Sequence, residues 1–303
     1  MQQTIQTLTL EQLVSMLPRR QRDAQKGNFG RLLCITGSRN MPGACLLSAM
    51  GAIRSGAGLI TVATAPENPM RLATAIPEVM WLSLKTDENG FLLDKPNHEA
   101  LLPHLEKSSG ILLGCGLGVT NETRKLIDWI ISQTASQSKP LLFDADGLNC
   151  IADRIDIDRQ TGTDWIFTPH PGEMARLCGK SIGEIQHSRI ETAQQFVTAH
   201  PITLVLKGAG KLVAQPNRMI RNPTGNPGMS RGGSGDVLAG MIAGLMVQGN
   251  ISSWNAACIG VYLHGLAGDL AAAIHSEQAM LPTDLLAQLP TAFLRLEHLR
   301  DKN

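Results

Sequence analysis

The sequence predicts a layered α/β protein, a central, mostly parallel sheet flanked by helices, and three observations predict it. Short apolar runs such as Ile111–Leu113 and Leu141–Phe143 recur along the chain. They are apolar throughout instead of alternating, the pattern of strands covered on both faces. Helical stretches separate most of them, which is how parallel strands are joined. Composition allows the core such a fold needs. Of 303 residues, 43% are hydrophobic and 17% charged, too apolar and too sparsely charged for a disordered chain.

Thr9 to Leu17 has apolar residues at helical spacing behind a Thr, with Gln12 three positions on, so a helix with a capping box is expected. Arg19 to Phe29 is polar and reads as a loop. Strands are expected at Arg31–Ile35, Gly58–Ala63, Val79–Leu84, Ile111–Leu113, Leu141–Phe143, Trp165–Phe167 and Ile202–Leu206. Helices are expected at Ala44–Ser55, Thr120–Thr134 and Gly183–His200, and, after a short run at Lys211–Ala214, at Asp236–Val247 and Ser253–Ala273. No internal repeat or linker divides the chain. Residues 1–26 are read as an N-terminal helix with a polar lead-in, and 27–303 as one domain.

Charge and cysteine usage narrow the function. Lys+Arg 27 against Asp+Glu 26 leaves +1, no field to collect nucleic acid or an anionic membrane. Six Phe, four Trp and one Tyr offer few stacking platforms. Cys34, Cys45, Cys115, Cys150, Cys178 and Cys258 lie far apart, without zinc-ligand spacing, and are expected as free buried thiols in a reducing cytoplasm. Met1 to Leu10 lacks the pattern of a leader, and no run of 18 apolar residues occurs, so neither a secretory signal nor a membrane-spanning helix is expected.

Glycine is the unusual component, 30 residues against ~7% on average. The stretch Arg221–Gly235 is rich in Gly, Pro and Asn and opens abruptly into a helix. Gly232, Gly233, Ser234 and Gly235 bring backbone N–H groups close to a ligand, and the helix adds the positive end of its dipole. Together they make an anion hole for a phosphate or for charge developing on one. Asp236 stands at the helix mouth, either as a cap or as the base that takes a proton from a hydroxyl receiving a phosphoryl group. A cap alone does not need three glycines ahead of it, so the base reading is preferred.

Other signatures fail. Gly179-Lys180-Ser181 has Met174 where a P-loop needs Gly, and Gly114–Gly118 is followed by Val119 where a dinucleotide loop needs Gly. No GxSxG or HExxH is present. Smaller clusters stand at strand ends, where α/β folds bind ligands. Met41–Ala44 and Cys115–Gly118 suit close approach of a ligand. Asp144 and Asp146 either hold Mg2+ through water or cap a helix. His170, between two prolines and beside Glu173, is stiffly presented for ligand contact. Lys207, Gly208, Ala209, Gly210 and Lys211 offer amides and cations to a nucleotide phosphate, or form a plain hairpin turn. The other histidines (His98, His104, His187, His200, His264, His275, His298) are read as structural or exposed.

Taken in order, GRLLCITGS with PGA, RSGAGL, GCGLG, DADGLN, TPHPGE, KGAG and NPTGNPGMSRGGSGDVLAG resemble the ADP/ATP-dependent NAD(P)H-hydrate dehydratases of the ribokinase-like superfamily. The resemblance runs from about Gly27 to the C-terminal helices and implies a ribokinase-like three-layer sandwich. It also implies a carbon–oxygen lyase that repairs hydrated NADH and NADPH: ADP phosphorylates the hydrate's hydroxyl with Mg2+ present, and phosphate is eliminated. Carried over by position, Ala44, Gly116, Gly118, His170 and Asp236 contact the hydrated cofactor. Lys207 to Lys211 and Gly235 hold ADP and its product AMP. Many relatives carry an epimerase domain; with 26 residues before the fold, a stand-alone dehydratase is expected. The resemblance further suggests a homotetramer. Ser234 stands where Thr is common, with the hydroxyl kept. Two rivals are open: an ATP-dependent kinase of a small alcohol, and a nucleotide-binding sensor without turnover.

Overall fold

The computed structural model describes residues 5–137, 139–154 and 164–302. Of the segments read above, residues 1–4 of the N-terminal lead-in and residue 303 lie outside the described residues. The strands are β1 (Gln6–Thr7), β2 (Arg31–Ile35), β3 (Leu59–Thr64), β4 (Met80–Ser83), β5 (Gly110–Leu113), β6 (Leu141–Phe143), β7 (Trp165–Phe167), β8 (Thr203–Leu206), β9 (Leu212–Gln215) and β10 (Arg218–Arg221). They form one sheet in the order β1-β10-β9-β8-β7-β6-β5-β2-β3-β4. From β4 to β8 all pairs are parallel, and β8-β9-β10 closes the sheet as antiparallel hairpins. The predicted class holds.

The helices are α1 (Leu10–Met16), α2 (Pro42–Arg54), α3 (Asn68–Leu72), α4 (His98–Lys107), α5 (Asn121–Thr134), α6 (Asp146–Ile151), α7 (Pro171–Cys178), α8 (Ile182–His187), α9 (Arg189–Ala199), α10 (Ser234–Met246), α11 (Ser253–Ala279) and α12 (Pro282–Lys302). The expected cap of α1 is present: Thr9 accepts the N–H of Gln12, whose side chain accepts the N–H of Thr9. Two cores sandwich the sheet. On one side α1, α2, α10, α11 and α12 pack on residues such as Leu32, Val62 and Leu112; on the other α4, α5, α7 and α9 cover Leu33, Ile111, Phe143 and Phe167.

Three expectations are corrected. The helix expected over Gly183–His200 is two, because Ser188 leaves helical geometry (φ −126, ψ 45) between α8 and α9. α10 begins at Ser234, two residues before Asp236. α11 is longer than expected and reaches Ala279 across a non-helical Ser276. Its 27 residues have the length and apolar composition of a membrane span, which a search for uninterrupted apolar runs passes over. In this fold it lies against α10 and α12, most of it buried. Strands β1 and β10 went unread because they are short and partly polar.

Topology points to one edge. The chain runs outward from β2 through β3 to β4, then returns to the other side of β2 and runs through β5, β6, β7 and β8. The order therefore reverses between β2 and β5, the place where open α/β sheets form a ligand crevice beyond the strands' C-terminal ends. Backbone bonds close its floor, Gly37 N–H to Cys115 C=O at 2.8 Å and Ser38 N–H to Gly116 C=O at 2.7 Å. α10 is drawn into the same edge by packing on α2. A Cβ on Gly240 would lie 1.9 Å from the carbonyl oxygen of Ser48, so only glycine permits this approach.

Candidate active site

The mouth of α10 is set by its cap. Gly233 is left-handed (φ 96), and a Cβ there would lie 2.5 Å from Leu47 Cδ1, so both backbone and space require glycine. Gly233 is the cap residue, and no side chain caps this helix. The capping alternative for Asp236 falls away: its carboxylate sits in the first turn and is directed elsewhere. His264 of α11, fully buried, donates from Nε2 to the carbonyl of Ser234 at 2.9 Å and anchors that turn. Burial holds this imidazole neutral, its pKa lowered to about 3.

Asp236 meets a buried polar cluster at the ends of β5 and β6. Its carboxylate, the thiol of Cys115 and the carboxylate of Asp144 each offer an atom within 4.8 Å of the others. Burial, then the charge of Asp144, push the Asp236 pKa up to about 7, against the opposing pull of the Cys115 thiol and Lys207. Asp144 is almost fully buried and accepts from Lys207 Nζ at 2.6 Å and Thr168 Oγ1 at 2.7 Å through one oxygen, Oδ1. Its Oδ2 faces the Cys115 thiol at 3.8 Å. Burial works against the charge on Lys207, but Asp144 and Glu173 outweigh it and hold the ammonium above its ordinary pKa. Such a buried pair is tolerable because each ion has further partners.

Glu173, in the first turn of α7, completes the cluster. Its Oε2 lies 3.8 Å from Lys207 Nζ and accepts the backbone N–H of His170 at 2.7 Å. Burial, despite Lys207, raises its pKa. His170 caps α7: Nδ1 accepts the N–H groups of Gly172 and Glu173 at 3.0 and 3.2 Å. That assigns the ring proton to Nε2, on the half-exposed side of the imidazole. Burial, and then Lys207, lower the His170 pKa, which favours the neutral ring.

The segment Lys207–Lys211 forms the turn of the β8–β9 hairpin, with a lysine at each end. Arg189 of α9 donates to the carbonyls of Leu206 and Lys207 at 3.3 and 3.1 Å and steadies it. Lys207 Nζ stands 3.5 Å from where a Cβ on Gly235 would be, so the loop and the mouth of α10 face each other. At the crevice, a Cβ on Gly116 would lie 2.8 Å from the Cβ atoms of Ala44 and Met41. Gly118 donates its N–H to Asp146 Oδ2 at 2.8 Å.

The structure therefore brings Ala44, Gly116, Gly118, His170, Lys207, Gly235 and Asp236 to one edge and separates Asp144 from Asp146. Among the described residues, the group close enough to share a cation is Cys115, Asp144 and Asp236, while Asp146 is spent on a backbone N–H. It caps nothing either, since α6 has no side-chain cap. The sequence places Cys115 in a strand-end cluster but gives its thiol no role, and it does not mark His264 or Arg189 as site residues. No local pattern marks them, because each acts across the fold on a residue far away in sequence.

A family model described as NAD(P)H-hydrate dehydratase matches residues 32–291. The chain belongs to this family. Its dehydratase relatives include a bifunctional NAD(P)H-hydrate repair enzyme of Moorella thermoacetica, 39% identical over 285 residues, 93% of this chain and 53% of the relative. The chain thus spans about half the length of the bifunctional relatives it matches. A crystal structure of the ADP/ATP-dependent NAD(P)H-hydrate dehydratase of Bacillus subtilis, co-crystallised with ATP and Mg2+, superposes with a TM-score of 0.82 at 29% identity, covering 97% of this chain and 99% of that one. A ribokinase-like superfamily protein of Enterococcus faecalis gives 0.85 at 30% identity, covering 97% of each chain. The dehydratase fold is ribokinase-like.

Proposed function

We propose that this chain is an ADP-dependent NAD(P)H-hydrate dehydratase, returning the (S)-hydrates of NADH and NADPH to the reduced cofactors. The observation that carries the proposal is Asp236: a carboxylate with a pKa near 7, in the glycine-lined mouth of α10, facing Lys207. A base poised near neutrality at an anion hole suits phosphoryl transfer to a hydroxyl.

In the first step the hydrate's hydroxyl oxygen bonds the β-phosphorus of ADP, the bond to the bridging oxygen breaks, and AMP leaves. Asp236 takes the hydroxyl proton. The N–H groups at Gly233–Gly235 and the ammonium of Lys207 stabilise the charge on the transferring group. In the second step the carbon–oxygen bond to phosphate breaks with electron density from the ring nitrogen. The neighbouring carbon loses a proton, and the ring double bond returns. Ala44, Gly116, Gly118 and His170 contact the hydrate, and Lys207–Lys211 with Gly235 the nucleotide.

The donor set fits Mg2+ only in part. Asp144 Oδ2 and Asp236 are hard oxygen donors that would hold the ion, whereas the Cys115 thiol is not a Mg2+ ligand, so nucleotide phosphates and water would have to supply the remaining ligands. Bound there, the ion would neutralise charge on the phosphates. The six free cysteines support a reducing, cytoplasmic setting. The continuous sheet supports one domain, which takes in β1 of the N-terminal segment together with residues 27–303. A homotetramer rests on resemblance and is tested by sizing chromatography. The activity test is direct: with hydrated NADPH, ADP and Mg2+, the absorbance of reduced nicotinamide returns and AMP and phosphate form in equal amounts. Phosphorylation of a small alcohol without that recovery overturns the proposal in favour of a kinase.

A further inference from the structure

Glu173 is buried between two groups that the proposed function assigns to different substrates. Oε2 accepts the His170 backbone N–H at 2.7 Å and lies 3.8 Å from Lys207 Nζ, and Oε1 lies 3.2 Å from His170 Nε2. The imidazole is held at Nδ1 by two backbone N–H groups, which leaves the ring proton on Nε2, near Oε1 but not hydrogen-bonded to it. One carboxylate oxygen therefore holds the backbone of a residue at the hydrate subsite and faces a cation at the nucleotide loop.

We infer that Glu173 is a positioning residue that couples the two subsites, an inference that rests on the reading of those subsites given above. Lys207 divides its charge between Asp144 at 2.6 Å and Glu173 at 3.8 Å. Nucleotide phosphates at the mouth of α10 draw the ammonium toward Gly235 and away from the longer of these contacts. Glu173, losing its cation, holds the backbone N–H of His170 more firmly, and that residue is fixed at the start of α7 before the hydrate arrives. Coupling is reciprocal, so each ligand tightens the other by one factor.

Calorimetry on the full chain tests this with hydrated NADPH, alone and with saturating α,β-methylene-ADP, which fills the loop without transferring phosphate. In the wild type the analogue tightens hydrate binding about fivefold or more. In Glu173→Gln, similar in size and still able to accept the His170 N–H, that ratio falls to about one. A variant that keeps the wild-type ratio, or a wild type that regenerates NADPH with a ratio of one, overturns the coupling alone. A wild type that neither binds nor converts the hydrate overturns the function itself. Should Glu173→Gln not fold, the 15N resonances of the His170 ring decide: the analogue alone shifts them in wild-type protein, and no shift overturns the inference.

Discussion

The two ends of the sheet both gather cations, and they use them for opposite purposes. At the N-terminal ends of the strands, Arg19, Arg20, Arg54 and Arg300 line a cavity of about 1050 Å³. The helices α2, α10 and α12 finish at this end, so the arginines face the negative ends of helix dipoles and unpaired carbonyls. Arg20 donates to the Gly56 carbonyl at 2.7 Å, and nearby Gln248 donates to the carbonyls of Ser55 and Gly244. Arg19 pairs with Asp301 at the surface. At the other end α2, α7 and α10 begin, so Lys207 faces positive dipole ends and is held there only by buried carboxylates. A cavity of this size is a usual first guess for a site. Here it lies where charges satisfy the scaffold, and the chemistry belongs where charge is confined against its own preference.

The sharpest way to break that contrast is Asp236→Asn. It removes the proposed base and leaves the anion hole, so kcat falls by about 10²–10⁴ while nucleotide affinity is nearly unchanged. Steady-state kinetics and calorimetry check this, and undiminished turnover would refute the role. In the wild type, kcat/KM loses about tenfold per pH unit below the Asp236 pKa near 7, because only the ionised carboxylate accepts the proton.

Next in size is Lys207→Met. It leaves Asp144 buried without its cation, at a cost of about 3–5 kcal/mol in unfolding free energy. Denaturant melts measure it. A loss under ~1 kcal/mol would mean that the pair is screened like a surface one.

The same charge economy fixes the sign of a third effect. The folded-state pKa of Asp236 lies above the ordinary value of 3.8, so its contribution to stability is fully present below pH ~4 and is lost as pH rises through 7. Asp236→Asn escapes that loss. The variant is therefore the more stable protein at pH 8, by about 1–3 kcal/mol, and the advantage disappears by about pH 4. Thermal melts at both pH values test it, and a variant less stable than wild type at pH 8 contradicts the assignment.

What the sequence makes legible follows the same division. Strands and their order of helices were readable because burial on both faces leaves uninterrupted apolar runs. The mouth of α10 was readable because Gly233 must take a left-handed backbone where a side chain would strike Leu47. Asp144 and Asp146, two residues apart, read equally as a metal pair or as helix caps, yet the chain turns between them through Ala145 (φ 49) and sends them to different partners. The role of the Cys115 thiol, and Arg189 and His264 as site residues, leave no mark in the sequence, since their partners are distant along the chain and only the fold brings them together.

The smallest expected effect sharpens the comparison from the other end. Arg20 is exposed, stacks on Phe29 with its guanidinium 3.9 Å from the ring centre, and donates to a helix-end carbonyl. A capping contact of this kind contributes about 0.5–1 kcal/mol. Arg20→Ala therefore lowers the unfolding temperature by a few degrees at most. It leaves kcat/KM within about twofold, because Arg20 bonds to no residue of the site and its exposed charge is screened by salt. A tenfold loss of activity at unchanged stability would show instead that the arginine-lined cavity communicates with the site.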